Sequence, residues 1–229
     1  MGASTFNPER PGKHFLLIGP PGAGKGTLAA DLCSLNLEHV SSGDFFRAEV
    51  ARKTPVGKVF ENALRAGEFV PDEQTLQVMR KWFFARRRAR GFLLDGFPRN
   101  LAQALVFDEW LEQRREPLGA CLYLDLPREE SVRRIAGRRI CPRDGSVFHL
   151  HFNPPAVDGR CDQCGAALVQ RDDDSEETVR HRWNLYEHHT LPVVDHYRQQ
   201  GVLHRFDAGK PFSELRKEVK TAVLSLEPS

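Results

Sequence analysis

The segment Gly19-Pro20-Pro21-Gly22-Ala23-Gly24-Lys25-Gly26-Thr27 constrains this chain more than any other part of its sequence. It has the G-x4-G-K pattern of a phosphate-binding loop, in which successive backbone N–H groups turn inward around phosphate oxygens. Glycines are required because side chains would block that approach. An apolar run precedes the segment and a helical pattern follows it, so the start of a helix adds partial positive charge and Lys25 adds a full charge.

The sequence therefore predicts a strand–loop–helix unit that binds phosphate, the alternative being a glycine-rich turn without a ligand. One departure from the general pattern is Gly26 directly after Lys25, with the hydroxyl residue one place later at Thr27.

Short apolar runs alternate with helical patterns along much of the chain. The apolar runs cover residues 14–18, 92–95, 121–126 and 202–206. Helical patterns cover residues 102–115, 129–138 and 176–200. Strands that alternate with helices form parallel sheets, because each crossover helix packs on a face of the sheet. The sequence therefore predicts an α/β fold with a parallel β-sheet flanked by helices.

Two segments interrupt this alternation. Residues 41–70 are helical in pattern, with no strand expected among them. Residues 139–174 are rich in Cys, Pro and Gly and include the alternating run 146–152, which predicts short strands. We interpret them as a helical insert and a small β-rich insert on one core, which comprises residues 1–40, 71–138 and 175–229.

Composition excludes several classes of protein. Lys and Arg number 33 against 31 Asp and Glu, a formal net charge of +2 that argues against an extended nucleic-acid-binding surface. No apolar run approaches the ~20 residues of a membrane span. The N-terminal sequence lacks the features of a secretory signal, and the five cysteines do not resemble a disulfide framework. We expect a cytoplasmic protein with no membrane and no nucleic-acid partner.

Three cysteines and an aspartate have the spacing of a metal site. Cys141-Pro-Arg-Asp144-Gly145 and Cys161-Asp-Gln-Cys164-Gly165 are two related turns, twenty residues apart. Paired turns of this kind present four ligands tetrahedrally to Zn²⁺. The zinc would be structural, because all four positions are filled by the protein and none is left for water. The alternatives are a segment held by hydrogen bonds with unused thiols, and a Cys161–Cys164 redox pair.

The remaining histidine and cysteine residues near these patterns predict no further site. His149 and His151 alternate along one short run and are interpreted as surface residues rather than competing metal ligands. Cys33 and Cys121 lie in apolar contexts and are interpreted as small buried core residues.

Four ordered sequence blocks carry a family resemblance. GPPGAGKGT (19–27) resembles the loop of nucleoside monophosphate kinases, and SSGDFFR (41–47) resembles the monophosphate-binding segment of adenylate kinases. FLLDGFPR (92–99), with Gln103 beyond it, and DDDSEETVR (172–180), leading to Arg182, resemble two further blocks of that family. The similarity extends from about residue 15 to residue 211, with the blocks in the family's order.

The resemblance implies a P-loop NTPase-type core, with residues 41–70 as the nucleoside-monophosphate-binding (NMP) insert and residues 139–174 as a lid of the zinc-bearing bacterial type. It implies reversible phosphoryl transfer from ATP to AMP, giving two ADP, with Mg²⁺ as cofactor and structural Zn²⁺ in the lid. The implied partners are ATP, AMP and ADP, and we expect a monomer.

The resemblance also assigns roles to individual residues. The catalytic cations would be Lys25, Arg99, Arg138, Arg171 and Arg182. ATP would contact Gly22, Ala23, Gly24, Lys25, Gly26, Thr27, Arg134, Arg138, Val147, Phe148, Ala208 and Lys210. AMP would contact Ser42, Arg47, Glu68, Phe69, Val70, Gly96, Phe97, Pro98, Arg99, Gln103, Arg171 and Arg182. Asp95 would order water around Mg²⁺ without binding it directly. Asp173 would pair with Arg138 when the lid closes, beside Asp174.

Two alternatives remain open from the sequence. The first is a related kinase with another donor, such as GTP, or another acceptor, such as UMP or CMP. The second is a zinc-containing nucleic-acid-binding protein on a degenerate kinase core, which the basic and aromatic segment 80–90 would serve. A helix with long cationic side chains lying over an apolar face accounts for that segment equally well.

Overall fold

The computed structural model describes residues 14–66, 68–85, 91–171 and 174–226. A five-stranded parallel sheet forms the centre of the core, in the order β2-β3-β1-β4-β7. Its strands are β1 (His14–Ile18), β2 (Leu37–Ser41), β3 (Gly91–Asp95), β4 (Leu118–Asp125) and β7 (Leu203–Asp207). The predicted α/β fold is confirmed, and four of these strands coincide with the four apolar runs.

Helices cover both faces of this sheet and also form the helical insert. They are α1 (Lys25–Leu32), α2 (Ser42–Ala51), α3 (Pro55–Ala66), α4 (Asp72–Phe84), α5 (Leu101–Arg114), α6 (Arg128–Ala136), α7 (Glu176–Leu185), α8 (Leu191–Gln199) and α9 (Phe212–Leu226). In the other insert, β5 (Arg138–Ile140) pairs antiparallel with β6 (Val147–His149).

Alternate residues of each strand enter opposite hydrophobic clusters, because successive side chains point to opposite faces of a strand. In β1, Phe15 and Leu17 join the cluster that includes α1 and α9. Leu16 and Ile18 join the cluster that includes α4, α5 and α8. All five residues of β1 are buried, which is why the strand reads as a continuous apolar run.

The structure adds a strand and an irregular helical turn that were not predicted, and one local prediction, the burial of Cys33, is wrong. β2 was not expected, because only Leu37 and Val40 of its five residues are buried and the apolar run is correspondingly weak. The predicted helix 176–200 contains a π-helical turn at Tyr186–Thr190, just before Pro192, whose missing N–H cannot complete the regular helical ladder. Cys33 is exposed, because it begins a surface 3-10 turn after α1.

Within the described ranges, no helix combines the length and the apolar character needed to cross a membrane. Several loops of the core lie together at one edge of the sheet. The loop after β1, the α2 start after β2 and Asp95 at the end of β3 all lie at the carboxyl ends of parallel strands, where ligands of open α/β sheets bind.

Candidate active site

The loop between β1 and α1 has the backbone conformation that phosphate binding requires. Gly22 and Gly24 have φ angles of +77° and +84°, in the left-handed region that favours glycine. Gly24 caps α1 and carries no side chain, so the cap residue leaves the first amides of the helix to a ligand. The Lys25 ammonium group folds back over the loop and donates to the carbonyl oxygens of Gly19 (2.7 Å) and Pro20 (2.9 Å).

Other loop residues predicted to contact ATP differ in exposure. Ala23 is fully buried against the core, whereas Gly26 and Thr27 are exposed in the first turn of α1. The loop also packs closely against α6. The Ser131 hydroxyl donates a hydrogen bond to the Pro21 carbonyl, and a Cβ at Gly22 would lie 3.0 Å from the Ser131 carbonyl oxygen. The loop therefore offers backbone amides and the Lys25 ammonium group to a ligand outside it.

Six predicted cations line one open cleft beside this loop. They come from separate parts of the chain, and they are Lys25, Arg47, Arg99, Arg138, Arg171 and Arg182. Glu68, Phe69, Gly96 and Pro98, which were predicted to contact AMP, line the same cleft. The structure thus brings the predicted phosphate-binding side chains to one place, and the substrate contacts of each residue remain predictions.

The cations of the cleft repel one another. Burial lowers the pKa of Lys25 to about 8, partly offset by the Asp95 carboxylate, while Arg99, Arg182 and Arg138 lower it further. Burial, followed by the charge of Arg182, lowers the pKa of Arg99 to about 10. Charged groups whose pKa is shifted toward the neutral form are stabilised when opposite charge arrives. The cleft is therefore suited to a ligand with several negative charges.

Asp95 supplies a carboxylate next to this positive charge. Burial raises its pKa, and the charges of Lys25, His39 and Arg99 oppose that rise. Thr27, which carries a hydroxyl, is exposed in the first turn of α1 beside the same loop. A carboxylate and a hydroxyl next to a phosphate site are the oxygen donors that suit hydrated Mg²⁺. The residues present therefore fit a magnesium ion held largely through water and substrate oxygens.

Predicted AMP-binding residues outside the cleft lining are held by protein contacts. The Ser42 hydroxyl is buried and donates to the Gly96 carbonyl oxygen at 2.7 Å. Val70 and Phe97 are buried in separate hydrophobic clusters. Gln103 is buried, and both ends of its side-chain amide have partners, Asp72 and the Arg99 backbone N–H.

Predicted ATP-binding residues outside the cleft lining fall into two groups. Val147 is exposed on the lid, but Phe148 packs in the interior of the lid with Cys141 and Cys161. Arg134 and Lys210 form ion pairs with Glu130 (2.8 Å) and Glu218 (2.7 Å), and Ala208 is buried.

Arg138 connects the lid to the core through Asp174. Its guanidinium group donates two hydrogen bonds to the Asp174 carboxylate, at 2.8 and 2.5 Å, and Asp174 is fully buried. The predicted partner of Arg138, Asp173, lies outside the described residues. The structure thus pairs Arg138 with Asp174, and the pairing of Arg138 with Asp173 on lid closure stays a prediction.

The lid brings its four predicted metal ligands together. One ligand atom from each of Cys141, Asp144, Cys161 and Cys164 lies within 4.8 Å of all the others. The Cys141 and Cys164 sulfurs are 3.4 Å apart, and the Cys161 sulfur is 3.2 Å from an Asp144 oxygen. Zn–S bonds of about 2.3 Å give tetrahedral S···S edges of about 3.8 Å, so the cluster has nearly the size that zinc requires.

The two turns that carry these ligands have the same backbone hydrogen bonds. The N–H groups of Gly145 and Gly165 donate to the carbonyl oxygens of Cys141 (3.0 Å) and Cys161 (2.9 Å), and both glycines have positive φ. Hydrogen bonding to Asp144 raises the pKa of Cys164 to about 12, because a thiolate beside a carboxylate is disfavoured. A dication would remove that penalty, so the donor set fits structural zinc.

His149 is not a surface residue as predicted. It is buried, and its ring lies so close to Gly137 that a Cβ there would be 2.4 Å from the imidazole Nε2. The glycine at the start of the lid makes room for it, whereas His151 is exposed. Among the described residues, neither histidine belongs to the metal-ligand cluster.

Comparison with known proteins places this site in a family. The sequence model described as "Adenylate kinase" matches residues 17–202, which is most of the chain. The chain belongs to the adenylate kinase family.

Relatives match along most of their length as well. A protein named adenylate kinase from Streptomyces avermitilis is 46% identical over 212 residues, covering 92% of this chain and 96% of the relative. One from Moorella thermoacetica is 44% identical, with coverage of 86% and 91%, and one from Archaeoglobus fulgidus is 41% identical, with coverage of 90% and 96%. The adenylate kinase resemblance read from the four sequence blocks is confirmed.

Some residues near the site of this adenylate kinase family member were not predicted, and three of them carry side chains with polar contacts in the site region. Tyr186 and Thr190 line the cleft from the π-helical turn, and the Thr190 hydroxyl donates to the Arg99 carbonyl oxygen at 2.8 Å. His39, in β2, lies 4.0 Å from the Asp95 carboxylate. Pro192 could have predicted the irregular turn that carries Tyr186 and Thr190. No sequence signal could have placed His39, because the apolar pattern of β2 is weak.

Proposed function

We propose that this protein catalyses reversible phosphoryl transfer from ATP to AMP, giving two ADP, in the presence of Mg²⁺. The observation that carries this proposal is the convergence of six cations on one cleft at the carboxyl edge of the sheet. Two nucleotides bring many negative charges together, and such a cleft offsets their repulsion. Membership of the adenylate kinase family points to the same substrates.

The chemistry asks the protein mainly for positioning. An AMP phosphate oxygen attacks the γ-phosphorus of ATP; a new P–O bond forms as the bond to the ADP leaving group breaks. The attacking oxygen already carries negative charge, so no general base is required. Holding the two oxygens in line and neutralising the spread charge then provide the rate enhancement. Mg²⁺ neutralises phosphate charge when it is bound with ATP.

Different parts of the cleft serve the two nucleotides in this proposal. The loop amides and Lys25 hold the triphosphate, while Arg47 and Arg99 hold the monophosphate. Arg138, Arg171 and Arg182 surround the transferred group, where arginine suits a planar array of phosphate oxygens. Asp95 orders water around the magnesium ion. These assignments follow from the position of each side chain at the cleft together with the family motifs.

Both inserts would move over the bound nucleotides. We propose residues 41–70 as the NMP insert and residues 139–174 as the lid, on a core of residues 1–40, 71–138 and 175–229. Closure excludes water, which would otherwise accept the phosphoryl group. The zinc ion would stabilise the lid and take no part in the transfer, because four protein ligands fill its coordination sphere.

Replacement of Lys25 by Met tests the proposal. We expect kcat for ADP formation from ATP and AMP to fall by about 10²-fold or more, since a charge-stabilising donor is removed. Lys217→Met, which changes an exposed lysine of α9, is the matched control and should retain activity. Full turnover by Lys25→Met would contradict the proposal. Assays with GTP, UMP and CMP in place of ATP or AMP decide among the related kinase activities.

The same variant separates function from folding. Lys25 has a lowered pKa in the folded protein, so its charge opposes folding below about pH 8, and this penalty disappears as the pH rises from 8 toward 10.5. We therefore expect Lys25→Met to be at least as stable as the wild type at pH 7. Urea denaturation at pH 7 measures this difference, which should shrink at higher pH.

Two further properties are proposed from the balance of charge and the family. We propose a cytoplasmic monomer that does not bind nucleic acid. Light scattering during size-exclusion chromatography tests the oligomeric state, and oligonucleotide binding at low salt tests the nucleic-acid alternative. Residues 86–90 of the basic segment lie outside the described residues.

A further inference from the structure

The side-chain amide of Gln103 is fixed at both ends by the protein. Its Oε1 accepts a hydrogen bond from the Arg99 backbone N–H at 2.9 Å, and its Nε2 donates to the Asp72 carboxylate at 2.6 Å. Gln103 is 2% exposed, so these contacts are shielded from water. Hydrogen bonds in such surroundings are costly to break, because each group would lose its partner.

These two partners determine which way the amide faces. A backbone N–H can only donate, and a carboxylate can only accept. Rotating the amide by 180° would place its NH2 group against the Arg99 N–H and its oxygen against the Asp72 carboxylate. Both contacts would then be repulsive. Asp72 therefore selects the orientation in which Nε2, rather than Oε1, lies on its side of Gln103.

Asp72 is itself held in place for this task. Asn100 Nδ2 donates to both of its oxygens at 2.9 Å, and Asn100 Oδ1 caps α5 by accepting from the Gln103 N–H at 2.9 Å. Asp72 begins α4, shortly after the NMP insert, and the N-cap residue of that helix, Pro71, makes no side-chain cap hydrogen bond. The Asp72 carboxylate is directed to α5 instead of to its own helix.

One hydrogen of Gln103 Nε2 remains for a ligand. Within residues 14–66, 68–85, 91–171 and 174–226, Nε2 has no hydrogen-bond partner other than Asp72. Arg99, whose backbone holds the amide, lines the cleft together with Phe69 and Pro98. A base that reached Gln103 from this part of the cleft would meet a donor. Adenine N1 is an acceptor, whereas guanine N1 and uracil N3 carry hydrogens.

We propose that Asp72 is a positioning residue for base specificity, which holds Gln103 so that the site accepts a base with an acceptor at N1. The inference rests on the proposed function and on contact between Gln103 and the AMP base. Asp72 itself need not touch AMP. A site with a fixed donor rejects bases that present a hydrogen there, because two donors cannot pair.

Nucleotide analogues test this directly in the wild-type protein. In 1-deaza-AMP a C–H group replaces N1, whereas purine riboside 5′-monophosphate keeps N1 and lacks the 6-amino group. We expect kcat/KM to fall about 10-fold or more from AMP to 1-deaza-AMP, because a buried donor loses its partner. The fall should be smaller for purine riboside monophosphate. Equal use of 1-deaza-AMP and AMP would overturn the inference without any mutation.

Asp72→Asn then tests the positioning role. With an amide at residue 72, only the Arg99 N–H still opposes rotation of the Gln103 amide, so the flipped orientation becomes more accessible and we expect the ratio of kcat/KM for AMP to that for 1-deaza-AMP to shrink to within about threefold. Inosine monophosphate, which has N1–H, should be used relatively better. The change should fall mainly on KM for the monophosphate. Asn100→Ser, which frees Asp72 but keeps an α5 cap, should change the ratio in the same direction and serves if Asp72→Asn does not fold.

Glu73→Gln is the matched control. Glu73 is exposed, lies in the same first turn of α4 and loses the same charge, so this variant should keep the wild-type ratio. If the wild type forms no ADP from ATP and AMP, the proposed function fails. If it does form ADP but Asp72→Asn keeps the wild-type analogue ratio, or Glu73→Gln changes it equally, the proposed function stands and the role of Asp72 is refuted.

Discussion

The two inserts differ in what fills their interiors. In the NMP insert, α2 and α3 pack through Phe46 and Phe60, whose rings are 4.7 Å apart, with Val70 beside them. In the lid, the buried cluster consists of Cys141, Cys161 and Phe148. One insert thus has an apolar core of ordinary side chains, whereas the other has a core in which thiols predominate.

This difference shows how a short segment without helices can fold. A small segment buries too little apolar area to offset its conformational entropy, and a bound metal supplies the missing free energy. Several apolar lid residues remain exposed, including Leu150, Phe152 and Val157. We therefore expect the stability of the lid to depend on its ligand cluster, and that of the NMP insert on close helix packing.

Metal removal should cause the largest loss of stability, and this loss should be confined to the lid. We expect one zinc ion per chain by elemental analysis, and loss of amide protection in the lid after chelation or in Cys161→Ser. Structural zinc contributes about 10 kcal/mol in small domains. Cys33→Ser changes an exposed cysteine and is the control. Absence of zinc, or equal effects of the two substitutions, would contradict the comparison.

Phe60→Ala should affect the NMP insert by a smaller amount and independently of metal. Phe60 is fully buried, so its truncation leaves a cavity and costs about 3–5 kcal/mol. Val59→Ala, at a 40% exposed position of the same helix, should cost less than about 0.5 kcal/mol. Urea denaturation with and without chelator measures both. If added zinc restored the stability of Phe60→Ala, the NMP insert would not be stabilised by helix packing alone, and the comparison would fail.

Asp174→Asn tests how the lid is attached to the core. The substitution removes the charge that pairs with Arg138 in a buried position, and we expect a loss of about 1–3 kcal/mol in the free energy of unfolding. KM for ATP should rise as well, because Arg138 lines the cleft. Asp158→Asn, at an exposed lid carboxylate, should change neither quantity.

Glu68→Gln should have the smallest effect on the free energy of unfolding. The NMP insert contacts α7 through an ion pair whose two side chains are exposed. Glu68 Oε1 lies 2.7 Å from His181 Nε2, and both side chains are more than 40% exposed. Exposed pairs contribute about 0–1 kcal/mol and weaken with salt. A double-mutant cycle with His181→Gln at two salt concentrations measures the coupling. A coupling energy above about 1 kcal/mol that does not change with salt would contradict the comparison. It would show that the NMP insert is attached to the core as strongly as the lid is through Arg138 and Asp174.

Sequence patterns predicted the elements whose signals are local. The apolar runs of β1, β3, β4 and β7 are buried strands, and the spacing of Cys141 and Cys161 predicted two similar turns. β2 was missed because a half-exposed edge strand has a weak pattern. Cys33 and His149 were assigned to the wrong environments, because burial depends on which segments pack against them and not on neighbouring sequence.

The sequence by itself determined the phosphate loop and the two cysteine turns, because steric limits on glycine and short ligand spacings act within a few residues, whereas the arginine cations were named by the family resemblance. Only the tertiary structure decided that six cations from distant segments share one cleft, that Asp174 meets Arg138, and that Asp72 fixes the amide of Gln103. These contacts join residues far apart in the chain, and their distances are set by how the helices pack on the sheet.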